Sequence, residues 1–69
     1  MKITNRVWQQ YENIRAKGCC NMLDKVCVFE AAMKHKHIDL AKLIQQNRLV
    51  EIVSGYSKAL EEGKFERRT

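Results

Sequence analysis

The chain has 69 residues, thirteen of them basic and eight acidic, which gives a formal net charge of +5. This length fits one domain, and so small a core leaves little room for a deep substrate pocket. The charge excludes a strongly acidic mimic of DNA and suits an acidic partner: nucleic acid, a membrane surface or an acidic protein. We therefore expect one binding domain over residues 1–69 and no enzyme activity.

The composition favours helices over sheets. The chain contains no proline and only three glycines, and its common residues include strong helix formers such as Lys, Glu, Ala and Leu. No strand-like alternation of apolar and polar residues runs far. We expect an all-α fold, a compact bundle of four helices over residues 4–17, 22–35, 39–46 and 48–62.

The first predicted helix, 4–17, has a clear start and a clear end. Thr4 is a good N-cap, and Gly18 is a natural residue to follow the last turn. At 100° per residue, one face of this helix is apolar and has Trp8 at its margin. The residues of that face are Ile3, Val7, Tyr11 and Ile14.

The second predicted helix, 22–35, is apolar nearly all round, which predicts that it is the central helix of the bundle. Asn21 as N-cap and Asp24 in the first turn approximate a capping box. The segment from Lys34 to His37 ends the helix with positive charge, which suits a helix C-terminus.

The predicted third and fourth helices depend on a shift in the apolar stripe. Leu40, Leu43 and Ile44 form one stripe, but the stripe that begins at Leu49 is rotated by roughly 180°. One continuous helix over 39–62 would therefore carry apolar surface on two opposite sides. A break near Asn47 lets both stripes face one core. Residues 63–69 are expected to form a frayed tail, from which Phe65 could dock back on the core.

The cysteines predict neither a metal site nor a catalytic site. Cys19 and Cys20 are adjacent, which is poor spacing both for a disulfide between them and for zinc. His35 and His37 point about 200° apart on a helix. We expect no cofactor, reduced thiols and a buried Cys27, as in a cytoplasmic protein. No apolar run reaches the roughly 20 residues that cross a bilayer, and the first residues do not resemble a signal peptide.

The polar face of the first helix is the main candidate for partner binding. Basic and amide side chains line it and could meet an acidic protein. These residues are Lys2, Arg6, Gln9, Asn13 and Lys17. Trp8 or Tyr11, at the edge of the apolar stripe, could also cover a homodimer interface.

Nucleic-acid binding is the alternative function. A helix–turn–helix unit could be formed by the second helix, the residues 34–37 and the third helix. The third helix would then enter the major groove with residues suited to bases and phosphates. These residues are Lys42, Gln45, Gln46 and Arg48. The segment 38–51 is nearly neutral, which weakens this hypothesis.

The segment from Ile14 to Met22 resembles the opening signature Ile-x-x-x-Gly-x-x-Asn-Met of a family of short helical proteins of unknown function. That family occurs in phages and their low-GC Gram-positive hosts. Its later Leu-x-x-x-Ile stretch would correspond to Leu40 and Ile44. The resemblance implies a small mobile-element protein in a bacterial cytoplasm. The leading hypothesis is therefore a protein-binding accessory or inhibitor of a host or phage protein.

Overall fold

Four helices make up the architecture in a computed structural model that describes residues 3–18 and 21–66. They are α1 (Asn5–Lys17), α2 (Lys25–Lys34), α3 (Ile38–Gln45) and α4 (Leu49–Glu61). The described residues contain no strand, and the predicted all-α bundle of four helices is confirmed. None of the helices in this part of the chain has the length and apolar character needed to cross a membrane.

α1 begins and ends where the sequence predicts. Thr4 Oγ1 accepts a hydrogen bond from the backbone N–H of Val7 at 3.3 Å, as an N-cap threonine does. Gly18 follows the helix in the left-handed conformation, with φ of 64°, which glycine adopts without steric cost. Of the predicted apolar stripe, Val7, Tyr11 and Ile14 are buried in the core and Ile3 is partly buried against it. Trp8, at the margin of the stripe, is buried as well.

α2 begins at Lys25, three residues later than predicted. Its N-cap is Asp24, whose carboxylate accepts hydrogen bonds from two backbone N–H groups at 3.1 and 3.2 Å. Asn21, the predicted N-cap, instead accepts from the N–H of Leu23 at 2.9 Å and forms a turn before the helix. Asp24 is favoured as the cap because its negative charge also interacts with the positive end of the helix dipole.

The chain reverses at Asn47, as the shift of the apolar stripe predicts. Asn47 adopts the left-handed conformation, with φ of 60°. The N–H of Arg48 then donates to the carbonyl of Leu43 at 3.1 Å, a bond typical of a left-handed helix end. The continuous helix over 39–62 is therefore excluded, and α3 and α4 both turn their apolar stripes to one core.

The N-terminus of α3 is capped by a side chain of α1. α3 begins at Ile38, and its N-cap residue His37 makes no side-chain cap bond. Gln10 Oε1 accepts instead from the backbone N–H of Leu40 at 3.0 Å. Asp39, the first residue of the predicted third helix, lies in the first turn. The prediction placed the start of α3 one residue late because local sequence does not reveal a cap from another helix.

α2 packs against both α1 and α3, as a central helix does, but its apolar residues are not buried nearly all round. The fully or nearly buried residues of α2 are small: Val28, Ala31 and Ala32. Its larger apolar residues Val26 and Met33, and Leu23 just before it, are exposed. α2 therefore covers the core with one narrow face and leaves apolar surface in contact with solvent.

Trp8 and Tyr11 are buried and are not available for a dimer interface, which corrects that expectation. Trp8 packs closely against α4. A Cβ added at Gly55 would lie 3.0 Å from Trp8 Cη2, so the glycine allows the indole ring to approach the helix backbone. Tyr11 meets Tyr56 edge to face, with ring centroids 5.7 Å apart.

The segment after α4 folds back on α1, which contradicts the predicted frayed tail for its described part, 63–66. Phe65 is buried and stacks on Trp8 with ring centroids 6.3 Å apart. The side-chain amide of Gln9 pairs with the backbone of Glu66: Nε2 donates to its carbonyl at 3.2 Å and Oε1 accepts from its N–H at 3.1 Å. Residues 67–69 lie outside the described part of the chain.

Replacing Lys36 with glycine is expected to stabilise the fold by roughly 0.5–1 kcal/mol, because Lys36 is in the left-handed region that disfavours side chains with a Cβ. Its φ is 60°, and it ends α2 in the turn where His37 N donates to Ala32 O at 2.7 Å. Urea unfolding followed by circular dichroism measures the change. Lys58→Gly, at an exposed position inside α4, should instead cost about 1 kcal/mol. Equal effects of the two changes would contradict the strain argument.

Cys27 is disulfide-bonded, which contradicts the expectation of a reduced, buried thiol. The other two cysteines of the chain, Cys19 and Cys20, lie outside the described residues. The sequence argument failed because adjacency excludes only a bond between those two neighbours and left Cys27 open. Cys27 is also only half-buried, in the first turn of α2.

The state of Cys27 is testable by mass spectrometry of purified protein alkylated with iodoacetamide before reduction. We expect the peptide containing Cys27 to stay unlabelled until a reductant is added, since a disulfide sulfur is not a nucleophile. Labelling of Cys27 in protein that has seen no reductant would show that the thiol is reduced.

Candidate functional site

The described residues offer three surfaces for function: the polar face of α1, the solvent face of α3 and an apolar face around the α3–α4 turn. On another side of α1, a buried polar network joins this helix to α4. Glu12, on α1, has a side chain with no solvent exposure, while that of Arg15 is 30% exposed. Arg15 Nε and Nη2 donate to the two Glu12 carboxylate oxygens, each at 2.7 Å. The hydroxyl of Tyr56 donates to the same carboxylate and ties α4 to α1.

This network shifts the pKa values of the groups around it. The hydrogen bond from Arg15 to Glu12 raises the pKa of the guanidinium above its ordinary value. Burial, followed by the interactions with Glu12, raises the pKa of Tyr56. Burial also raises the pKa of Tyr11. The two phenols therefore stay protonated well above neutral pH, and the hydroxyl of Tyr56 acts as a donor to Glu12.

Internal contacts already engage much of the predicted partner-binding face of α1. Arg6 forms a salt bridge of 3.7 Å with Asp39 on α3. Gln9 pairs with the backbone of residue 66 and also donates to Asn13 Oδ1 at 3.4 Å. Lys17, at the end of the helix, is exposed, and Lys2 lies outside the described residues. The face therefore serves partly to hold α3 and the C-terminal segment, and its role in binding stays a prediction.

Lys17 lies near the turn between α2 and α3. Burial, the nearby ring of His35 and the charge of Lys17 together lower the pKa of His37. The two histidine rings are 6.0 Å apart.

In the described residues no group of three or more His, Cys, Asp or Glu side chains is placed to hold a metal ion.

The four predicted nucleic-acid readers of the alternative function do not form a basic surface. Lys42, Gln45 and Gln46 are exposed, but Gln45 lines a groove against α2. Arg48 Nη2 forms a salt bridge of 2.6 Å with Glu51. Lys42 is therefore the main basic contribution of this surface, and Asp39 lies one turn before it.

The apolar face comprises Leu23, Val26 and Val50, which are 70%, 63% and 72% exposed. These three side chains lie around the turn at Asn47. Leu23 and Val50 line one groove of about 140 Å³ together with residues of α4. Val26 lines a second, larger groove. Each aliphatic side chain left in water forgoes on the order of 1.5–3 kcal/mol of burial, which makes this face a candidate contact surface.

The larger groove runs between α2 and α3 and has a volume of about 390 Å³. Apolar side chains form its floor, and one charge of each sign stands at its edges. The lining residues are Lys25, Val26, Phe29, Glu30, Ile44 and Gln45. Lys25 Nζ also donates to Asn47 Oδ1, which holds the start of α2 against the α3–α4 turn.

Sequence reasoning missed the apolar face because it assigned every apolar residue of α2 to the core. A signal was present in the excess of apolar residues around that helix, since a small helix cannot bury all its sides in a chain of 69 residues. Glu12 was missed for the opposite reason: a single carboxylate on a helix is normally exposed.

Comparison with known proteins finds no matching protein-family model, no similar curated protein and no similar solved structure.

Proposed function

We propose that this protein is a protein-binding module that acts through its apolar face, Leu23, Val26 and Val50. The observation that carries the proposal is their exposure, 70%, 63% and 72%, beside two grooves on a domain of this size. Apolar side chains grouped around grooves are typical of protein contact sites. The resemblance to proteins of phages and low-GC Gram-positive bacteria implies the role of an accessory or inhibitor of a host or phage protein, and the disulfide at Cys27 places that role under conditions in which the bond persists.

The composition of the core supports a role in binding for this face over a purely structural one. Leu23, Val26 and Val50 are not part of the buried core, so the fold does not need them to be apolar. A surface under no selection for contact is expected to carry polar residues there. The polar face of α1, the surface predicted from sequence, remains a possible second contact through Lys17, since Arg6 and Gln9 already bind other parts of the chain.

The proposal is tested by affinity capture with immobilised wild-type protein and a Val26→Asp variant, from a lysate of a low-GC Gram-positive bacterium. Val26 is exposed, so aspartate is tolerated by the fold, but it places a charge in an apolar contact. We expect the variant to lose captured protein by about tenfold or more, in line with the cost of desolvating an unpaired charge.

Ser57→Asp, at an exposed position of α4, is the matched control and should capture as wild type does. Circular dichroism establishes that both variants remain helical. If Val26→Asp and Ser57→Asp retain the same proteins in the same amounts, binding does not use the apolar face and the proposal fails.

DNA binding is the second candidate function, and one observation favours it. Three residues, 35–37, separate α2 from α3, which is the turn length of a helix–turn–helix unit. Lys42 and Gln46 would then contact the duplex from α3. A DNA binder loses affinity steeply as salt rises. Titration of labelled duplex at about 50 mM salt should give measurable binding if this function is right, and Lys42→Ala should weaken that binding.

A further inference from the structure

We propose that the apolar face binds a second copy of this chain, so that the protein forms a two-fold symmetric homodimer. This inference rests on the proposed function, because it uses the same face as the contact site, but it assigns that face to a second copy of the chain in place of a host or phage protein. In a two-fold interface the same patch contributes from both copies, so the patch must be complementary to itself. The charges at the edges of the larger groove meet that requirement.

Lys25 and Glu30 stand on the same groove, five residues apart on α2, and both are exposed. If the two-fold axis passes between them, Lys25 of each copy, which also donates to Asn47 of its own chain, faces the partner copy's Glu30. The same patch on both copies then supplies two ion pairs, each between Lys25 of one copy and Glu30 of the other, without any other protein. The exposed Val26 lies between these charges in the chain and would enter the groove floored by Phe29 and Ile44.

The distribution of charge over the molecule favours this face for self-association. Two copies with a net charge of +5 each repel one another. Lys25 and Glu30 cancel at the groove, and Arg48 is paired with Glu51 beside it. The other exposed basic residues of the described chain do not line the groove: Arg6, Lys17, Lys34, Lys36, Lys42, Lys58 and Lys64. The groove lining itself therefore carries no net charge, and two copies can approach there without facing like-charged linings.

The size of the domain gives self-association a further advantage. A dimer of standard size buries about 800 Å² from each partner, roughly a sixth of the 4590 Å² of this chain. Chains of this length have marginal cores and commonly gain stability from a second subunit. Burial of Leu23, Val26 and Val50 would supply that gain.

Charge reversal at the groove separates this proposal from binding of another protein. Lys25→Glu leaves two carboxylates facing each other in the dimer, and Glu30→Lys leaves two ammonium groups. Each single variant should weaken dimerisation by about tenfold or more in sedimentation velocity, because juxtaposed like charges are costly. The double variant K25E/E30K restores opposite charges and should dimerise like wild type. An equimolar mixture of the two single variants should form heterodimers.

The control variants are Lys58→Glu and Glu61→Lys, which make the same charge changes on exposed positions of α4 and should leave dimerisation unchanged. Wild-type protein that sediments as a monomer up to about 1 mM, the weak end of specific affinities, would overturn the homodimer. A double variant K25E/E30K that dimerises as weakly as the single variants would also overturn the homodimer. If the chain is monomeric and Val26→Asp still abolishes capture, the face binds another protein and only the homodimer is refuted. If no dimer is found and Val26→Asp captures the same proteins as wild type, both proposals fail.

Discussion

Replacing Arg15 with methionine is expected to lower the free energy of unfolding by about 3–5 kcal/mol near neutral pH, because it leaves a buried carboxylate without its guanidinium. Glu12 has no solvent exposure, so water cannot replace the two lost hydrogen bonds at 2.7 Å. Methionine keeps the packing of the aliphatic stem. Since a domain of this length has a total stability of roughly 3–10 kcal/mol, the variant should be partly unfolded in water. Urea unfolding followed by the fluorescence of Trp8 measures the loss.

A double variant distinguishes loss of charge pairing from loss of packing. Arg15→Met combined with Glu12→Gln removes both charges and keeps an acceptor for the hydroxyl of Tyr56. It should recover most of the stability lost in the single variant, since replacing both members of a buried pair is often neutral. Stability of Arg15→Met alone should also rise as the pH falls, because a buried carboxyl group without a cation binds a proton more readily in the folded than in the unfolded chain. A single variant as stable as wild type would show that the ion pair contributes little to the fold.

Replacing Phe65 with alanine is expected to cost about 3–5 kcal/mol, the usual penalty for truncating a buried phenylalanine. Phe65 is buried against Trp8 and Tyr56, with ring centroids 6.3 and 5.1 Å away. Loss of the ring would expose the indole and loosen the contact of α4 with α1. The fluorescence maximum of Trp8 should move to longer wavelength, and thermal unfolding should begin at a lower temperature.

Lys64→Ala is the matched control for the same segment. Lys64 is exposed, and its salt bridge with Glu62 is 3.8 Å long between side chains that are 41% and 46% exposed, so its loss should matter by less than about 1 kcal/mol. If Phe65→Ala and Lys64→Ala have equal stability, the segment is not docked in solution and the predicted frayed tail would be right after all.

The phase of apolar residues predicted much of the fold. The stripe of α1 and the reversal at Asn47 were both found from spacing, because a helix fixes which residues share a face. The reversal needed no knowledge of tertiary contacts: the stripes ending at Ile44 and beginning at Leu49 lie on opposite sides of a single helix. These features depend on local geometry alone.

The features that the sequence did not predict depend on contacts between distant residues. Gln10 caps α3, and Gln9 pairs with the backbone of Glu66, 57 residues away. Nothing in the neighbourhood of either glutamine indicates its partner. The exposure of Leu23 and Val26 was missed for a related reason. When a helix is apolar nearly all round, the side that faces solvent is decided by how the other helices pack against it.

The pairing of Gln9 with Glu66 also bears on how the chain acquires its structure during synthesis. Contacts between residues far apart in the chain form slowly, because a long loop must be closed before they bring any gain. α1 leaves the ribosome before the other three helices described, yet the ring that shields its tryptophan is Phe65, which is made almost sixty residues later. The indole therefore stays open to chaperones and to neighbouring nascent chains until residue 66 has emerged.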